Sequence, residues 1–75
     1  MTDTKKLREL VEASGLKYRF IAKKMNLSPF GLALKIDNKN DFKASEISEL
    51  SVILGLNEEQ VSSIFLGKNN TINGG

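Results

Sequence analysis

Seven cations concentrate between residues 17 and 43: Lys17, Arg19, Lys23, Lys24, Lys35, Lys39 and Lys43, set against Asp37 and Asp41 alone, a net +5. Ammonium and guanidinium groups at that density neutralise phosphates, so a polyanion is the ligand class this stretch fits. The same run also reads as ordinary solvated surface. Its flanks differ in sign. Residues 1–16 balance to zero, and residues 44–75 carry Glu46, Glu49, Glu58 and Glu59 against Lys68, a net −3, so the whole-chain +2 conceals a gradient. Other chemistry is poorly provided for. With no Cys and no His, zinc fingers, haem attachment, disulfides and every dyad or triad that needs a thiol or an imidazole are excluded. Glu58 and Glu59 open a helix, where carboxylates suit the macrodipole and need no catalytic role. Hydrolysis by carboxylates alone requires a cleft that a small helical domain has little room to form. The expectation is therefore a non-enzymatic domain with no metal and no cofactor.

The elements that position these cations follow from length and periodicity. A chain of 75 residues, 40% hydrophobic and 27% charged, has the composition of one soluble globular domain. Its polar start, Met1 to Lys6, lacks the apolar stretch of a secretory signal. Apolar runs such as residues 52–54 fall far short of a bilayer of roughly 30 Å. A cytoplasmic protein without membrane contact is expected. Apolar residues recur at helical rather than strand spacing, and five short helices result. The first covers 4–14, with Leu7, Leu10, Val11 and Ser14 on one stripe and Gly15 as its stop. The second covers 17–25 on Tyr18, Ile21, Ala22 and Met25. After a break at Asn26, Leu27 and Ser28, the third opens on Ser28 as cap and Pro29 in the first turn, and reaches residue 36 or 37 through Leu32 and Ile36. A polar loop at 37–41 leads to a fourth helix over 44–54 with Ile47, Leu50, Ser51 and Leu54 inside and Gly55 as stop. Asn57 and Gln60 form a capping box for a fifth, ending near Leu66. The domain is placed at 1–67 and the remainder, 68–75, is expected to be disordered.

Two short helices joined so tightly cannot run antiparallel and must cross steeply, with a small residue at the crossing; Ala22 suits it. The stretch is Tyr18-Arg19-Phe20-Ile21-Ala22-Lys23-Lys24-Met25-Asn26-Leu27-Ser28-Pro29-Phe30-Gly31-Leu32-Ala33-Leu34-Lys35-Ile36-Asp37-Asn38-Lys39, followed by Phe42, Ile47, Leu50 and Leu54-Gly55-Leu56. It resembles the helix-turn-helix regulators of the lambda repressor-like superfamily, the small Cro-like and repressor proteins of phages and bacteria in the XRE-like group, over about residues 7–66. Ile21, Ala22, Met25, Leu27, Ser28, Leu32 and Ile36 match that family's crossing, core and cap positions. Asn26 stands where the family often has glycine, and asparagine also adopts the left-handed conformation.

The resemblance implies a compact all-α, five-helix domain that binds double-stranded DNA as a transcriptional regulator, with the third helix in the major groove. Carried over residue by residue, the base-facing positions are Ser28, Pro29, Phe30, Ala33, Leu34, Asp37 and Asn38. Those meeting phosphates are Lys17, Tyr18, Arg19, Lys35, Lys39 and Lys43. The base-facing set departs from the family's pattern, because Pro, Phe, Ala and Leu lack the donors and acceptors that read base edges, though they match thymine methyl groups. An alternative therefore stands beside it: a protein-interaction module on the same fold, using Phe30, Ala33 and Leu34 as an apolar patch. One half-site per domain favours a homodimer. Val61, Ile64, Phe65 and Leu66, too many apolar residues for one face of a short helix, are the expected surface for it. No small-molecule effector is expected.

Overall fold

The computed structural model describes residues 2–66, with the side chain of Leu66 excepted. The expected tail at 68–75 lies outside the described residues. Within them the chain is all-helical, in the order α1 (Thr4–Ser14), α2 (Tyr18–Lys24), α3 (Pro29–Ile36), α4 (Ala44–Leu54) and α5 (Glu58–Val61), the last continued by a π-helical turn, Ser62–Leu66.

Local chemistry sets most of these bounds. Asp3 caps α1 by accepting from the Lys6 N–H, Ser28 caps α3 by accepting from the Gly31 N–H, and Asn57 and Gln60 cap α5 reciprocally. At the other ends, α2, α3 and α4 close in one way. A left-handed residue follows the helix, Asn26 (φ 60), Asn38 (φ 66) or Gly55 (φ 69). The next N–H then reaches back to a carbonyl of the last turn: Leu27 to Ala22, Lys39 to Leu34 and Leu56 to Ser51, each at 2.8 Å. Two of these closures use asparagine in place of glycine, which tolerates the conformation at modest cost. α2 is shorter at each end than the 17–25 its apolar stripe predicts, because Lys17 is extended and Met25 has already left the helical region.

The core gathers Leu7 and Val11 of α1, Ile21 and Ala22 of α2 with Met25, Leu32 and Ile36 of α3, Leu50 of α4, and Ile64 and Phe65. α2 packs on α3, and α1 lies against α3, α4 and the C-terminal π-helical turn. Ala22 is fully buried, so its small side chain leaves room for close helix packing. The apolar surplus at the C-terminus resolves differently from the expectation of a shared surface. The wider π-helical turn directs Ile64 and Phe65 inward, both buried, with the Phe65 ring edge-to-face on Phe42 at 5.3 Å between centroids. Val61 is half-buried against the same core. Ile64 and Phe65 are thus core residues rather than a dimer surface, and the side chain of Leu66 lies outside the described residues. No helix among the described residues is long and apolar enough to cross a membrane.

Candidate nucleic-acid interface

The N-terminal end of α3 is open. Ser28 is exposed, its Oγ 2.9 Å from the Gly31 N–H. Pro29 is exposed beside it. Phe30 is 73% exposed, an unusual position for a large aromatic side chain. One turn on, Ala33 and Leu34 are half-buried, while Leu32 and Ile36 on the opposite side are fully buried. The helix therefore divides as its sequence predicts, with Leu32 and Ile36 inward and Phe30 outward.

Its C-terminal end is tied instead. The carbonyl of Ile36, which no intrahelical N–H can reach, accepts from Thr4 Oγ1 at 2.8 Å. Asp37 pairs with Arg8 of α1, and Asn38 Oδ1 accepts from the Thr2 N–H at 3.2 Å. Asp37 and Asn38 are thus each engaged by the N-terminal segment, Asp37 through Oδ1 in a solvent-exposed pair and Asn38 through its side-chain oxygen.

Lys35 departs furthest from expectation. Instead of facing a phosphate, its ammonium sits 2.9 Å from Glu46 Oε1 and 3.0 Å from the Asp41 carbonyl, with the two paired side chains only 14% and 11% exposed. The same Glu46 oxygen accepts from the Lys43 N–H at 2.8 Å, serving as the side-chain half of a cap at the start of α4. Burial pushes the Glu46 carboxyl up, but the Lys43 N–H, the hydrogen bond from Lys35 and the charges of Lys35 and Lys43 outweigh it and hold the group below the ordinary glutamate value. Lys35 is a structural residue: it fastens the 37–43 loop to both α3 and α4. Sequence spacing hides this pair, since its members lie eleven residues apart on different elements. One signal was available, for Glu46 stands three residues into α4, where an acidic side chain reaches back to the cap N–H.

The remaining cations are free of such ties. Lys17, Arg19, Lys39 and Lys43 are exposed, and among the described residues none of them forms an ion pair; the pairs present are Arg8–Asp37 and Lys35–Glu46. Lys17 and Arg19 stand at the start of α2, and Lys39 and Lys43 on the loop that leaves α3. Tyr18, between the first two, is half-buried and packs its ring on the core. Lys35 and Asp37 have each been neutralised by a partner outside α3. The arrangement is an uncharged, partly apolar helix end with unpaired cations on the segments before and after it. Among the described residues no three acidic side chains gather as a metal site would require.

Residues 2–68 match the family described as "Protein of unknown function (DUF739)", and the chain belongs to that family. No curated protein and no solved structure matches it.

Proposed function

We propose that this member of the DUF739 family is a small DNA-binding transcriptional regulator of the lambda repressor-like, helix-turn-helix type, with α3 entering the major groove. The observation that carries the reading is the open N-terminal end of α3, with Ser28, Pro29 and Phe30 exposed while unpaired Lys17, Arg19, Lys39 and Lys43 occupy the flanking segments. Phosphate contacts by those four cations supply affinity and orientation. Phe30, with the edges of Ala33 and Leu34, meets thymine methyl groups, and the Ser28 hydroxyl adds a polar contact, which together favour A·T-rich sites. Lys35 is left out of the phosphate set.

A second reading is favoured by one specific observation, the 73% exposure of Phe30. Under it, Phe30 and Leu34 anchor a protein partner and the lysines form a polar rim. Titration of isotopically labelled protein with an A·T-rich duplex separates the two. The DNA reading expects amide shifts concentrated in residues 17–43, and an affinity that falls with salt at a log-log slope of about −3.6, four phosphates at roughly −0.9 each. An absence of localised shifts at low salt would overturn it in favour of the protein partner.

A further inference from the structure

Ile64 and Phe65 lie in the core and are withdrawn from any dimer surface. Another face offers apolar anchors. Apart from Phe30, the large apolar side chains left exposed among the described residues are Val52, at 80%, and Phe20, at 47%. Val52 lines an open groove of about 520 Å³ with Ser45, Ser48, Glu49 and Ile53 of α4 and Lys24 of α2. Phe20 joins this face through Lys24, whose ammonium lies 5.6 Å from the centre of its ring.

We propose that this α2–α4 groove is the contact between two copies of the chain, related by a two-fold axis, with Val52 of each copy seated in the groove of the other and Lys24 of each facing Glu49 of the other. Charge selects the occupant. Lys24 and Glu49 border one groove with opposite signs, yet among the described residues neither forms an ion pair within the chain. A two-fold axis requires a self-complementary surface, and a groove that carries one charge of each sign meets that requirement. A polyanion finds no excess of positive charge there. The short Ser45 and Ser48 side chains leave space on the helix for the approaching Val52. A face of so few side chains is smaller than the ~800 Å² per partner of a standard stable interface, so the dimer is weak and concentration-dependent. This inference does not rest on the DNA reading, because it concerns the protein alone.

Sedimentation of the DNA-free full chain over a concentration series tests it. The expected result is a monomer–dimer equilibrium with a Kd on the order of 100 μM. Val52→Glu, at a site exposed in the monomer, should weaken it at least tenfold with no change in the circular dichroism melt; Val52→Ser serves as the milder variant should the first disturb folding. Lys24→Glu and Glu49→Lys should each weaken association by placing like charges across the axis, and the combined Lys24→Glu/Glu49→Lys variant should restore it. A monomer at every concentration up to about 1 mM, a dimer indifferent to Val52, or a combined variant no better than the single ones would each overturn the proposal.

Discussion

At its C-terminal end α3 is gripped from two sides, by Thr2, Thr4 and Arg8 on one and by Glu46 of α4 on the other. At its N-terminal end the polar contact is local, Ser28 Oγ to the Gly31 N–H. This asymmetry shows how a domain with so small a core holds one helix rigid. One end is fixed by bonds between elements far apart in sequence, so the other can stand exposed without an anchor of its own. Side chains at the open end are free to vary without loss of packing, since Phe30 contributes little to the core, whereas the tied end is constrained by its partners.

If that division holds, the largest loss of stability should come from the tied end. Glu46→Ala leaves the Lys35 ammonium largely buried without its counter-charge and removes the acceptor for the Lys43 N–H. Breaking a buried pair from one side costs about 3 kcal/mol, which for a domain of this size lowers the melting temperature by roughly 15 °C. Denaturant unfolding measures it directly. A loss under about 1 kcal/mol would mean that the pair behaves as a solvated surface bridge and that the two ends of α3 are less different than their contacts suggest. The pH dependence has a definite sign. Because the folded state holds the Glu46 carboxyl below its ordinary value, its contribution is complete above the unfolded value of about 4.3 and is lost as pH falls through the lowered folded one. The stability gap between the wild-type chain and Glu46→Ala should therefore be widest near neutrality and narrow in acid. A gap constant down to pH 3 would show that the carboxylate's charge contributes nothing.

The open end should respond less. Ser28→Ala removes the cap of α3 and should cost about 1 kcal/mol, with the loss confined to the first turn and visible as faster amide exchange at Gly31. If exchange accelerated equally at Asp37 and Asn38, the two ends would be one cooperative unit rather than two differently held ones.

What the sequence made legible follows the same division. Helix starts at Ser28 and Asn57 and stops at Gly15 and Gly55 were readable because each depends on residues within one turn. The left-handed turn at Asn26 was readable for the same reason. The Lys35–Glu46 and Arg8–Asp37 pairs were not, since charges eleven and twenty-nine residues apart are matched by the packing of helices and by no local pattern. The inward turn of Ile64 and Phe65 escaped because a 3.6-residue period places side chains correctly only in an α-helix, and the chain widens into a π-helical turn at Ser62–Leu66. Of the candidate site, the cations of α2 and of the loop after α3 stayed exposed as expected, while Lys35, on the helix between them, was taken by the fold.

The smallest effect on stability is expected at Phe30, where it discriminates most about function. With 73% of the side chain exposed, Phe30→Ala removes little buried surface and gains a better helix former, so stability should stay within about 0.5 kcal/mol of the parent. Binding should not be so indifferent. If the ring lies against thymine methyl groups, its loss should weaken an A·T-rich duplex by roughly 1 kcal/mol, about fivefold, while leaving the salt slope unchanged because no phosphate contact has been touched. Discrimination against G·C-rich duplexes should fall with it, since affinity for those never depended on the ring. An unaltered duplex affinity in a fully folded variant would move Phe30 out of the groove. The exposed ring would then be an anchor for a protein partner, and the open end of α3 a protein-docking end whose surrounding lysines serve only as its rim.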